Sequence, residues 1–276
     1  MTGPILDLAD ISKRFDPRLT IGDRIAARIG GDVETRSVQA VRGVTLGLAK
    51  GETLGLVGES GCGKSTLGRI AAGIMTPTSG TVRLEGKPLM SPSGAKLTTR
   101  VQTVFQDPFA SLNPRIKIGA TIAEGPIAHG LVGRAEADAY VAEWLSLVGL
   151  DPSFAARYPH QFSGGQRQRI AIARALAMKP DVLVCDEPVA SLDVSIQAQI
   201  VNLLLRLKKE LSLTYLFISH DLGVVRHISE RVAIMYLGRV VEIGDTEALY
   251  ASPRHPYTQA LLASVPRLIT EDEDLA

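Results

Sequence analysis

Cysteine is nearly absent from this chain, with Cys62 and Cys185 the only two in 276 residues. That number excludes a disulfide framework and a cysteine-rich metal cluster, and leaves two reduced thiols as the default. Long apolar runs are missing too, since no stretch approaches the roughly 18 residues needed to cross a bilayer. The opening "MTGPILDLADISKRF" carries Asp7 and Asp10 where a secretory leader is basic and then apolar, so the chain is expected to stay in the cytosol. Charge of one sign is lacking as well: 30 Lys+Arg face 29 Asp+Glu, and a net charge of +1 gives no electrostatic call for nucleic acid. Internal repeats and low-complexity tracts are not visible. What remains is 45% hydrophobic, enough to bury a sizeable core as one large domain or two lobes.

Strand and helix patterns alternate along the chain, which predicts an α/β sheet. "ILDLADI" reads as a short alternating strand. The Gly-rich, charged stretch from Asp16 to Gln39 reads as a surface insertion before "AVRGVTLGLAKGETLGLVG". "ETLGLVG" is a buried strand running into a glycine-rich loop, and "KSTLGRIAAGI" is the helix after it. "AEADAYVAEWLSLVGL" spaces Val141, Leu145 and Val148 as a helix does, within a second, helical region. "SIQAQIVNLLLRLKKEL" puts Ile196, Ile200, Leu203, Leu204, Leu207 and Leu211 on one face, a core-packing stripe. "DVLVCDEP", "TYLFISHD" and "RVAIMYLG" read as further strands.

Chemistry concentrates at "GESGCGKST", Gly58 to Thr66. Gly58, Gly63, Lys64 and Ser65 fit G-x-x-x-x-G-K-[ST] between a strand and a helix. Glycines allow consecutive N–H groups to turn toward one point, and the helix N-terminus adds positive potential, so the loop cradles nucleotide phosphates. Glu59, Ser60, Gly61 and Thr66 complete the cradle; Cys62 occupies a variable position and fills space. Lys64 is expected to reach the β- and γ-phosphates and Ser65 to ligate Mg²⁺. At the end of "DVLVCDEP", Asp186 is placed on the metal side, while Glu187 projects elsewhere because strand side chains alternate, and polarises an attacking water as general base. Gln106 and His220 follow apolar strands, where open α/β sheets place ligands; taken alone, each reads more often as a loop residue without a role.

"HQFSGGQRQRIAIARALA" adds a second anion-binding device. Ser163 reads as an N-cap, and Gly164, Gly165 and Gln166 present bare N–H groups and a helix dipole to an anion. One nucleotide does not fill two cradles, so this is either a second nucleotide site or half of a site completed by another chain.

Taken in order, "GESGCGKST", Gln106, "SGGQ", "VLVCDEP", "SLD" and His220 resemble the ATP-binding subunits of ABC transporters over nearly the whole chain. The resemblance implies a P-loop NTPase core of α/β class with an antiparallel β subdomain and an inserted helical subdomain. Residues 1–107 and 169–245 would form the nucleotide-binding core, 108–168 the helical subdomain and 246–276 a C-terminal tail. It further implies a head-to-tail pair of ATPases in which Ser163 to Gln166 contact the γ-phosphate held by the other subunit. Phe15 matches the aromatic that stacks on adenine, with a core phenylalanine as the rival reading. Gln106 is expected to sense the γ-phosphate and metal, Asp193 to communicate across the dimer, and His220 to contact the γ-phosphate and orient water. ATP and Mg²⁺ are the implied cofactors, with Ser65, Gln106 and Asp186 around the metal.

"FQDPFASLNPR", "EPVASLDVSIQAQI", "FISHDLGVVRHIS" and the tail "SPRHPYTQALLASVP" are similar to the dipeptide/oligopeptide importers, and specifically to the second ATPase of the pair. This implies two permeases, a second and different ATPase chain, an external solute-binding protein and a peripheral place on the cytoplasmic face of the cell membrane. A tail helix from Tyr257 to Ser264 is expected to pack on the core or the partner. Some relatives carry an iron–sulfur cluster after this stretch; no cysteine follows Cys185, so that feature does not transfer. Nickel, glutathione and sugar-derived cargoes remain alternatives to peptides. A soluble ABC ATPase acting on nucleic acid or ribosomes is a further alternative, and a P-loop kinase would give "SGGQ" no task.

Overall fold

The computed structural model describes residues 3–16, 37–107 and 111–264. Among them, β1 (Leu6–Phe15), β2 (Val38–Leu48), β4 (Ser79–Leu84) and β5 (Lys87–Pro88) form an antiparallel sheet in the order β2-β1-β4-β5. A second sheet contains β3 (Thr53–Val57), β6 (Val101–Val104), β7 (Val182–Asp186), β8 (Thr214–Ile218), β9 (Arg231–Tyr236) and β10 (Arg239–Asp245). Its order is β10-β9-β3-β8-β7-β6, parallel throughout except for the antiparallel edge strand β10.

Every residue of β3, β7 and β8 is buried, as expected for parallel strands covered on both faces. The pleat sorts their side chains into two cores. Val182, Val184, Leu216 and Ile218 face the antiparallel sheet and helix α1 (Lys64–Ala71). Leu183, Cys185, Tyr215 and Phe217 face the opposite core, with α4 (Gly164–Leu176), α5 (Val194–Leu211) and α6 (Leu222–Ile228). Asp186 continues the even series and therefore emerges on the α1 side. On α5, Ile200, Leu203, Leu204 and Leu207 are buried, and Ile196 and Leu211 pack at the margin, so the stripe read from the sequence is the buried one.

The helical region comprises α2 (Ile118–Ala128) and α3 (Ala137–Leu147), which pack on α4. Ile118, Ile122, Val141, Leu145 and Val148 are almost fully buried, each worth roughly 1.5–3 kcal/mol of transfer free energy. The expected division between 168 and 169 falls inside α4, a continuous helix shared by both parts. The described residues close with α7 (Thr246–Ala251), capped by Asp245, and α8 (Pro256–Ala263).

Two sequence expectations need adjustment. β1 is longer than "ILDLADI", and Phe15 pairs with Val38, so Val38 and Gln39 belong to β2 rather than to an insertion. Residues 17–36, the rest of that insertion, and 108–110 and 265–276 lie outside the described residues.

Candidate active site

The 58–66 loop is built around positions where side chains do not fit. Gly63 has φ +109°, and a Cβ there would run into the Ala40 carbonyl oxygen. Gly63 is also the N-cap of α1 and has no side-chain cap, which leaves the first-turn amides of the helix for an anion. A cleft of about 260 Å³ opens there. Ser60, Gly61, Gly63, Lys64, Ser65 and Thr66 form its floor, Ala40 closes one side, and Gln106 and Glu187 face them. The Lys64 ammonium and the uncapped amides thus confront a carboxylate and an amide, an arrangement suited to holding polyphosphate beside a general base.

Lys64 is only 4% exposed, and its ammonium donates to Gly58 O at 2.7 Å and Glu59 O at 2.9 Å. Ser65 Oγ donates to Asp186 Oδ1 at 2.8 Å, joining the two predicted metal-side residues across 121 positions of sequence. Burial pushes the Asp186 carboxyl pKa up, against the Ser65 hydrogen bond and the positive charges of Arg69 and Lys64. Among the described residues no group of three His, Cys, Asp or Glu gathers as a metal cage. A hydroxyl and one carboxylate instead suit a hard cation that keeps water and phosphate oxygens as its other ligands.

Glu187 and Asp186 do diverge, but not by strand alternation. β7 ends at Asp186, and Glu187 sits in the left-handed region at φ +48°, its N–H donating to Ile218 O at 2.9 Å. A non-glycine residue held there costs of order 1–3 kcal/mol, and the turn aims Glu187 into the cleft. His220 Nδ1 lies 3.3 Å from Glu187 Oε2, so the two residues read separately from sequence form one pair. Gln106 is exposed, two residues beyond β6.

Other predicted residues stand apart from this cleft. Cys62 turns its side chain into the core, where burial raises its thiol pKa and makes it inert; its carbonyl accepts from Gly238 N–H. Phe15 ends β1 and is exposed, with the Lys13 ammonium 5.4 Å from its ring centre. Asp193 caps α5, accepting from Ile196 N–H and Ser195 Oγ at 2.9 Å each.

Ser163, Gly164, Gly165 and Gln166 do not line the cleft. Nor are all their amides bare: Ser163 Oγ accepts from Gln166 N–H at 3.3 Å, and Gln166 Oε1 accepts from Ser163 N–H at 3.0 Å. This capping box satisfies two of the donors the sequence reading left for an anion. Gly165 has a packing reason to be glycine, since a Cβ there would lie 2.6 Å from Ile196 Cγ2. Sequence reasoning missed Ala40, Arg69 and Tyr257, whose hydroxyl accepts from Glu59 N–H. The first two carry no local motif; the third had only a tail resemblance to mark it.

Residues 41–190 match the ABC transporter family, and residues 241–276 match the C-terminal region of oligopeptide/dipeptide transporters. The chain belongs to the ABC transporter family. This ABC ATPase is 53% identical over 266 residues to the oligopeptide transport ATP-binding protein AppF of Bacillus subtilis, covering 95% of this chain and 78% of the relative. It is 45% identical over 272 residues to the dipeptide transport ATP-binding protein DppF of Escherichia coli, covering 98% and 78%. Among solved structures, the dimeric ATP-binding cassette MJ0796 in a post-hydrolysis state bound to ADP and Pi covers 87% of this chain and 98% of its own, with a TM-score of 0.72 and 27% identity. The ABC ATPase is therefore an ATP-binding subunit of the oligopeptide/dipeptide transporter class, and its activity is ATP hydrolysis coupled to transport. No helix among the described residues is long and apolar enough to cross a membrane.

Proposed function

We propose that the chain hydrolyses Mg²⁺-bound ATP to drive import of dipeptides and oligopeptides through a pair of permease subunits, working head to tail with a second ATPase chain. The observation that carries this reading is the split between the two cradles. The 58–66 cleft gathers Lys64, Gln106 and Glu187, whereas Ser163 to Gln166 stand outside it. A dimer in which each SGGQ helix faces the other subunit's ATP gives both devices a task, and the dimeric state of the similar cassette MJ0796 supports it.

In this mechanism the uncapped amides of α1 and the Lys64 ammonium bind and orient the phosphates. Ser65 and Asp186, with Gln106 opposite, would hold Mg²⁺, which would neutralise phosphate charge. Glu187 takes the proton from the attacking water, and His220 keeps the carboxylate aimed at it. Phe15 stacks on the adenine, and Asp193, as the cap of α5, carries the state of one site toward the other. Closure of the ATPase pair moves the permeases between access states, and phosphate release reopens it. The subdomain division, with a core of 1–107 and 169–245 and a helical part of 108–168 that docks the permeases, belongs to the same reading. So does a peripheral place on the cytoplasmic face of the membrane, with an external binding protein delivering cargo. The peptide cargo rests on the match of the tail to oligopeptide/dipeptide transporters and on the oligopeptide and dipeptide transport roles of the similar proteins AppF and DppF.

Purification of the tagged chain from gently solubilised native membranes tests the assembly. Two polytopic proteins and a second ATPase are expected to copurify; recovery alone, or with ribosomes or nucleic acid, overturns the transport reading. Uptake of labelled dipeptide by the purified assembly in vesicles then tests the cargo.

A further inference from the structure

Tyr257 links the tail to the phosphate loop. Its hydroxyl oxygen accepts the Glu59 N–H at 3.2 Å, across 198 positions of sequence. The peptide unit that carries this N–H also carries the Gly58 carbonyl, which accepts from Lys64 Nζ at 2.7 Å. One peptide plane is thus held at both ends, by Lys64 on its oxygen and Tyr257 on its nitrogen. Any movement of the Lys64 ammonium toward a phosphate weakens the first hold and leaves the second. Gly58, without a Cβ, leaves that unit free to turn about its ψ, and rotation would carry the carbonyl oxygen off Lys64 Nζ and toward an anion at the amides of α1.

The tyrosine is itself anchored. Glu242 on β10 accepts Arg254 N–H at 2.8 Å and His255 N–H at 3.0 Å, fixing the start of α8. His255 Nδ1 caps the same helix by accepting Tyr257 N–H at 3.1 Å. The Tyr236 ring lies 4.1 Å from the Tyr257 ring at 30°. Tyr236 follows Met235, whose carbonyl oxygen lies where a Cβ on Gly58 would be, so strand β9 supports the loop and the strut together. Burial raises the phenol pKa, which keeps the hydroxyl neutral.

We propose that Tyr257 is a positioning residue for the nucleotide site, through which the oligopeptide-type tail holds the Gly58–Glu59 peptide unit with its carbonyl turned away from the phosphates. The proposal rests on the 58–66 loop being the phosphate cradle. Tyr257→Phe in the full chain is the test, because it keeps the ring against Tyr236 and removes only the acceptor. Affinities for ATP and for inorganic tripolyphosphate are measured by competition against a fluorescent ATP analogue, with thermal melting alongside. The loss of one neutral hydrogen bond predicts both affinities weakened about three- to tenfold, with the melting temperature lowered by no more than about 6 °C. In the assembled transporter, KM for ATP rises by the same factor and kcat stays put. Wild-type affinity in Y257F, or a melting temperature lowered by more than about 6 °C, beyond what one hydrogen bond accounts for, overturns the proposal. A wild-type chain that binds ATP but not tripolyphosphate overturns the cradle assignment itself.

Discussion

Helices α1 and α4 both begin at glycine-rich turns, yet their ends are chemically opposite. At α1 the N-cap is Gly63, which has no side chain to offer, and the first turn faces a cleft that also holds Gln106 and Glu187. At α4 the N-cap is Ser163, and a reciprocal pair of hydrogen bonds with Gln166 satisfies the helix from within. A helix end without a cap needs an external acceptor, and phosphate supplies one; a self-capped end is stable alone and engages an anion only when one is brought to it. In the proposed dimer, the difference separates a site that binds substrate in one chain from a surface that completes a site in the other.

Breaking the acid side of the open site should have the largest effect. Glu187→Gln is expected to lower turnover by about 10² to 10⁴ while ATP affinity stays unchanged, read by steady-state ATPase assay and nucleotide titration. Ser163→Arg attacks the self-capped end: turnover of the assembled transporter should fall on the order of 10², as for loss of a charge-stabilising donor, with ATP binding by the isolated chain retained. Equal activity would mean that α4 has no role in hydrolysis. The two glycines of α4 sharpen the contrast further. Gly165→Ala crowds Ile196 and should cost about 1–3 kcal/mol in denaturant unfolding, whereas a Cβ on Gly164 meets Leu192 only at 3.4 Å and should change stability by less than about 0.5 kcal/mol.

One expected effect is a gain. Burial raises the Asp186 pKa, so its carboxylate opposes folding at neutral pH when no cation is bound. Asp186→Asn should raise the melting temperature of the nucleotide-free chain by a few degrees. For an acid whose pKa is raised on folding, the penalty is absent below the unfolded value, about 3.9, and complete only above the folded one. The gain should therefore disappear in acid and grow as pH rises.

Much of this molecule is legible without coordinates, for a definable reason. The 58–66 loop, the apolar run before Asp186 and the stripe on α5 are local patterns, set by periodicity and by residues that only one backbone geometry uses well. The same holds for Ser163 as a cap. Pairings between distant segments have no such local signature. Ser65 meets Asp186, Glu187 meets His220 and Tyr257 meets Glu59 only because parallel strands β3, β8 and β7 lie side by side and β9, β10 and α8 fold back beside the loop.

Glycine shows the division most clearly. The sequence by itself determined that Gly58, Gly63 and Gly165 stand in anion-binding motifs, because spacing and flanking elements are written along the chain. Only the tertiary structure decided what each makes room for. The Met235 carbonyl backs Gly58, the Ala40 carbonyl backs Gly63 and the Ile196 side chain backs Gly165. A missing Cβ is a property of one residue, but the atom that takes its place comes from a strand or helix brought there by packing.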